Sequence, residues 1–423
     1  MYFFTRAANH FYHEGEACLS TWFLIVIYLA FISLGLPDSL LGSAWPVIWP
    51  EIGSSLGSAG IVSMIIAGGT IVSSLFSKRM VERLGTGRIT LFSCFLTAVA
   101  LLGFSIAPSM LWFIVFAIPL GLGAGAVDAA LNHYVAENYK AHHMNWLHCF
   151  WGVGATMGPM IMAVNLVNSQ SWRGGYAVVA IIQFLLVIIL LVTLPLWKRV
   201  ATTQEKLLSK DGELLENFHV EAAATTKLQT NVLRLRGVRP TLLTFLLYCG
   251  IETIVGLWGA SYLVSTREVT ADVAARWISL YYGGITVGRL TTGFIALKVH
   301  NRFLIRYGQL VTIVGGVILL LPLYSSLSLF GFLLIGIGLA PIYPGLLHET
   351  PSRFGRENSA RLIGYQMAVA YTGTTLIPPL FGFLAVHTSL DLFPFVVFTL
   401  LTLMFLSTET INRLLIKPTQ GRG

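Results

Sequence analysis

Three carboxylates stand where a carboxylate is costly: Asp38, Asp128 and Glu252 each lie well inside a long apolar run. A charged carboxylate at membrane depth costs roughly 2.5–3.5 kcal/mol on insertion scales. Neutralising an aspartic acid at pH 7 costs about 4 kcal/mol. The two penalties nearly cancel, so a change in water access or one hydrogen bond decides whether such a group holds a proton. A group that loads on one side of a barrier and releases on the other is the requirement for proton-coupled movement. Arg289 is the only basic residue clearly within an apolar run, so fixed salt bridges cannot satisfy all three acids. Glu252 falls near the middle of its run.

Other residues could bind a polar cargo beside these acids. Asn132 follows Asp128 by four positions and shares its helix face, and His148 and Trp151 share another. Trp258, Tyr282, Tyr343 and Gln366 are candidates from further runs. Amides and acids match hydroxyls, and aromatic faces cover the apolar side of a sugar ring. His148 fits three roles: proton relay, sugar ligand or interhelical donor.

Other patterns carry no chemistry. Gly121-x-Gly123-x-Gly125 has no preceding strand and reads as close helix packing, as does Gly154-x-x-x-Gly158. His348-Glu349 lacks the second histidine of a zinc-protease motif, and Pro351 would break the helix it needs. No nucleophilic triad, phosphate loop or metal-ligand cluster is present. The expectation is therefore no enzyme, no metal and no cofactor beyond a coupling ion, H+ or alternatively Na+. The four cysteines (Cys18, Cys94, Cys149, Cys249) read as reduced packing residues.

The elements that must position these residues are membrane helices. Hydrophobic residues make up 55% of the chain, charged residues 11%, and mean hydropathy is +0.74. A soluble domain carries roughly 25% charged residues, which makes a soluble enzyme, a disordered chain or a nucleic-acid binder a poor fit. Twelve runs are long enough to cross a bilayer: roughly 21–45, 59–77, 88–107, 110–136, 145–168, 174–197, 240–263, 276–298, 303–325, 328–348, 360–386 and 390–412. The predicted domains are 1–197, a central cytoplasmic loop 198–239, and 240–423. Within that loop Leu207, Leu208, Leu214 and Leu215 fit a short interfacial helix or a flexible linker. With both termini cytoplasmic, 23 Lys and Arg (Arg6, Lys140 and Arg422 among them) lie inside, and only Arg173, Arg267 and Arg276 outside. That asymmetry is a positive-inside signature and explains the net charge of +8 without nucleic acid.

The two halves repeat at a shift of about 215 positions. Ile66–Val72 aligns with Tyr281–Val287, and Gly121–His133 with Gly336–His348. Asp38–Gly42 aligns with Glu252–Gly256, and Gly154–Pro159 with Gly373–Pro378. Six spans per half insert both halves the same way up, a parallel repeat with a cavity between the halves and alternating access to it. The chain resembles the major facilitator superfamily over nearly its whole length, and within it the fucose permease group of sugar:proton symporters. The resemblance rests on Asp128 with Asn132 in Gly-Ala-Val-Asp-Ala-Ala-Leu-Asn, on Gly288-Arg289, on Ile342-Tyr343-Pro344, and on the segment Asn145–Trp151. His148 and Trp151 stand where bacterial fucose permeases have amides, and the superfamily's loop after span two survives only as Glu82-Arg83-Leu84-Gly85 with Arg88. The resemblance implies an all-α integral membrane fold of two pseudo-symmetric six-helix bundles. It also implies structural or gating roles for Glu82, Arg83, Gly288 and Arg289, with Arg289 holding the cytoplasmic helix ends together. The expected function is proton-coupled uptake of a hexose-like sugar across the plasma membrane by a monomer embedded in the lipid bilayer. Proton-driven export of amphipathic compounds and a non-transporting sensor or scaffold are the alternatives.

Overall fold

A computed structural model describes residues 23–139, 141–168, 171–215, 232–296, 298–322 and 324–415. Arg6, Cys18, Lys140, Lys227, Lys417 and Arg422 lie outside these residues. The described residues form helices and short 3-10 turns, with no strand among them. The helices are α1 (Phe23–Glu51), α2 (Ser58–Leu84), α3 (Thr86–Ser105), α4 (Met110–Asn138), α5 (Ala141–Asn168), α6 (Trp172–Leu215), α7 (Val238–Arg267), α8 (Ala271–Ile295), α9 (Asn301–Leu320), α10 (Ser325–Phe354), α11 (Arg356–His387) and α12 (Leu390–Leu415). Eleven are long and apolar enough to cross a membrane. The exception, α8, carries Asp272, Arg276 and Arg289 within its 25 residues, yet it packs against α5 and α10 like a span. Each of the twelve expected spans thus has its helix. Outward-facing side chains such as Phe92, Leu111, Ile181, Val192 and Phe383 are exposed and apolar, a surface suited to lipid rather than water.

Two helices are interrupted. In α1 the regular helix stops after Asp38 and restarts at Leu40, with Ser39 in a turn. Pro37 has no N–H to give the carbonyl of Ser33 one turn back, and Gln183 of α6 donates its side-chain amide to that carbonyl instead. In α10 the break falls at Ala340-Pro341, where the Ala340 N–H turns to the Ile337 carbonyl at 3.3 Å. At the other extreme, α6 runs 44 residues and carries the helix through 198–215, where linker or a separate interfacial helix was expected. Lys, Leu, Glu, Arg, Gln and Ala, which favour helix, make up 12 of these 18 residues, and none is proline.

The sequence repeat is also a packing repeat. A Cβ on Gly121 of α4 would lie 2.2 Å from the Ile66 carbonyl oxygen of α2, and one on Gly336 of α10 would lie 2.2 Å from that of Tyr281 in α8. A Cβ on Gly154 of α5 would lie 2.0 Å from the Ile32 carbonyl oxygen, and one on its mate Gly373 of α11 would lie 2.3 Å from that of Leu246. Only glycine lets these backbones approach so closely. Between the halves, contacts gather toward one end. Gly42 of α1 lies on Gly256 and Leu257 of α7, while Gly60 of α2 lies on Pro379 of α11 and Gly57 against Gly382. This is the end opposite Leu84, Val238 and Leu415.

Candidate functional site

Beneath that seal, between the halves, is a cavity of ≈ 370 Å3, within the size range of small-molecule sites. Single helix faces build its walls. Asp38 and Leu41 come from α1, Leu120, Ala124 and Asp128 from α4, Cys249, Thr253 and Leu257 from α7, and Met367, Tyr371 and Thr374 from α11. Their spacing of three or four is the helical repeat, which lines up one stripe per helix.

All three carboxylates reach this cavity. Asp38, at the break in α1, is exposed to it and accepts a hydrogen bond from Trp151 Nε1 at 2.8 Å. Asp128 Oδ1 accepts from Asn132 Nδ2 at 2.9 Å, and the same nitrogen lies 3.0 Å from the Asp128 carbonyl. Asn132 thus spends its donor on its own helix one turn back and positions the acid rather than lining the cavity. Glu252 pairs with Arg289 at 3.3 Å, and the guanidinium also donates to Tyr248 Oη at 3.3 Å. The guanidinium carbon lies 5.4 Å from the centre of the Trp151 ring, within cation–π range. Glu252 and Arg289 are 17% and 15% exposed, so the pair feels a lower dielectric than a surface bridge would.

Arg289 therefore departs from the expectation that it ties cytoplasmic helix ends. It sits in the cavity wall, while the adjacent Gly288, whose Cβ would press on Ala340, packs against α10. His148 lines the cavity, edge-on to Phe31 with ring centres 6.0 Å apart. Tyr282 lines it with its hydroxyl against Gly256, and Tyr343 with its hydroxyl 3.1 Å from Met367 Sδ.

Besides Asn132, two further expected cargo ligands lie outside the cavity lining. Trp258 is fully buried with Nε1 donating to the Pro378 carbonyl at 2.9 Å. Gln366 is fully buried and bonded to Thr350 at 2.9 Å. Each is one residue, about 100° of helix, off the cavity-facing stripe of its span. Residues unforeseen in the cavity are Cys249, Thr253, Met367, Tyr371 and Thr374; the four-residue step from Met367 to Tyr371 was the available signal. Glu82 and Arg83 are exposed in the last turns of α2, away from the cavity. Among the described residues no group of His, Cys, Asp and Glu could hold a metal ion.

A family model for the Major Facilitator Superfamily matches residues 27–378. The cis,cis-muconate transport protein of Acinetobacter baylyi (strain ATCC 33305 / BD413 / ADP1) is 26% identical, covering 88% of this chain and 90% of its own length. The glucose/mannose transporter of Bacillus subtilis (strain 168) is 22% identical, covering 75% and 77%. Among solved structures, a D-xylose-proton symporter superposes with TM-score 0.67 at 15% identity, covering 93% of this chain and 97% of the other.

Proposed function

The chain belongs to the major facilitator superfamily, and from that premise we propose that it carries a neutral, hexose-like sugar inward together with a proton. It is a membrane transporter and not an enzyme, as its family and relatives are transporters. The observation that carries the proposal is the charge balance of the cavity. Three carboxylates line it, and Arg289 is the only lysine or arginine among the described residues that do, already paired with Glu252. A carboxylate left without a cation, facing a cavity between apolar walls, is the kind of group that takes and gives up a proton as access changes. Asp38 and Asp128 are in that position; each is held by one neutral donor, from Trp151 and Asn132 respectively.

The same balance favours a neutral cargo over a dicarboxylate such as the muconate named for the Acinetobacter relative. An anionic cargo would meet more carboxylates than cations. Hydroxyl-matching groups (Asp128, His148, Thr253) and aromatic faces (Tyr282, Tyr343, Tyr371) share the walls, the combination that sugar recognition needs. The name of the Bacillus relative points the same way.

The test is exchange of a labelled hexose across proteoliposomes challenged with unlabelled competitors. Neutral hexoses are expected to compete and muconate is not. Competition by dicarboxylates with none by sugars would overturn the cargo assignment.

A further inference from the structure

Trp151 touches two of the charged groups of the cavity, Asp38 and Arg289, and they belong to opposite halves of the molecule. Its indole N–H donates to Asp38 on α1, at 2.8 Å, within the first half. Its ring face lies over Arg289 on α8, with the guanidinium carbon 5.4 Å from the ring centre, and Arg289 pairs with Glu252 on α7 at 3.3 Å in the second half. Among the described contacts, none joins Asp38 directly to Arg289.

The backbone under this side chain is locked. A Cβ on Gly35 of α1 would lie 2.0 Å from the Trp151 carbonyl oxygen, and one on the adjacent Gly152 would lie 2.4 Å from Thr286 Oγ1 of α8. The α5 helix is thus packed hard against α1 on one side and α8 on the other at this level. A change felt by Trp151 is therefore taken up by its ring, not by its helix.

We infer that Trp151 is the positioning residue that couples the loading of Asp38 to the Arg289–Glu252 pair across the interface between the halves. This inference rests on the proton-coupled reading above. A charge-assisted hydrogen bond from the indole to an ionised carboxylate is roughly twice as strong as one to a neutral acceptor. When Asp38 takes up a proton, the N–H is held less firmly and the ring is freed from the orientation that covers the guanidinium. Arg289 then loses its aromatic face and leans on Glu252 and Tyr248 alone. The proton is gained by a carboxylate oxygen of Asp38 on one side and returned to water from the same oxygen on the other. Trp151 itself neither gains nor loses one. A group in this position transmits charge state between two bodies that must rock against each other.

The discriminating variant is Trp151→Phe, which keeps a ring over Arg289 and removes only the donor. The readouts are the proton-gradient-driven accumulation ratio, the pH profile of uptake and gradient-free exchange, each in proteoliposomes with wild type, W151F, D38N and the double variant. Accumulation by W151F is expected to fall at least tenfold and its pH profile to flatten. Exchange is expected to fall no more than about fivefold, the scale of one lost hydrogen bond. In gradient-free exchange, which D38N leaves measurable, D38N with W151F is expected to be no worse than D38N alone, because both act on one link. A purely packing role would reduce accumulation and exchange together and multiply the two defects. That result, or a W151F protein with wild-type accumulation and pH profile, overturns the inference. Should W151F not yield folded protein, Glu252→Gln probes the link from its far end. There an unaltered pH profile is the contrary result. Absence of gradient-driven uptake by wild type would instead sink the proton-coupled reading and this inference with it, an outcome distinct from coupling that survives W151F.

Discussion

At the scale of the residue, the proposed coupling turns on which carboxylates have a cationic partner. Glu252 has Arg289, whereas Asp38 and Asp128 have only neutral donors, Trp151 and Asn132. Asp38→Asn, which mimics the protonated acid at constant shape, is therefore expected to abolish uphill accumulation while exchange stays measurable. Undiminished accumulation would remove Asp38 from coupling. Asn132→Ala strips Asp128 of its donor and is expected to weaken sugar binding by about 1.5 kcal/mol, roughly tenfold, the scale of a hydrogen bond to a charged group. Unchanged affinity would leave Asn132 without a role in the site. The acids and Arg289 were legible in the sequence because charge inside an apolar run is rare and conspicuous. The ligand set was less so. Tryptophan and glutamine in a span can face a cavity or a neighbouring helix equally well, and one residue of rotation decides which. Trp258 and Gln366 fell on the packed side, while Tyr371 and Met367, unremarkable in an aromatic and apolar chain, fell on the open one.

At the scale of the element, span number and order were legible because bilayer thickness dictates a minimum apolar length. Ends and breaks were less legible. The α1 helix continues to Glu51, beyond the expected end near 45, where Trp172 Nε1 donates to Glu51 at 2.6 Å and Arg173 pairs with it. That partner lies over 100 residues away, outside any local pattern. Helix packing also yields a test of the seal. A Cβ on Gly42 would come within 2.1 Å of the Gly256 carbonyl oxygen, so Gly42→Val cannot close the two halves at that end. Cys249, a free thiol in the cavity wall, reports on this. With the other cysteines replaced, G42V is expected to raise its labelling by an impermeant thiol reagent applied from the face opposite the C-terminus. Unchanged labelling would mean that the Gly42–Gly256 contact does not seal that face. Within the first half, Gly121→Val against the Ile66 carbonyl is expected to destabilise by about 1–3 kcal/mol, read as a lower melting temperature.

At the scale of the whole molecule, the repeat predicted from sequence reappears as duplicated geometry: the same glycine meets the same carbonyl in each half, and Gly42 meets its own repeat mate Gly256 across the centre. Asp38 and Glu252, mates in the same alignment, both line the one cavity. The two halves differ in charge at these mates, because Glu252 pairs with an arginine and Asp38 is held by an indole N–H. The proposed orientation, with termini and central segment in the cytoplasm, rests on the lysine and arginine bias. A reporter fused after Gly423 is expected to remain cytoplasmic, and exposure on the outer face would invert the assignment of uptake.

In the proposed mechanism, carboxylates without a cationic partner in a shared cavity tie sugar movement to proton movement. Purified protein in liposomes, given labelled hexoses at equal concentration on both sides and an acidic exterior, tests it directly. The expected result is uphill accumulation of at least one hexose that a protonophore abolishes. Hexose movement that only equilibrates, at a rate and extent indifferent to the pH gradient, would contradict it.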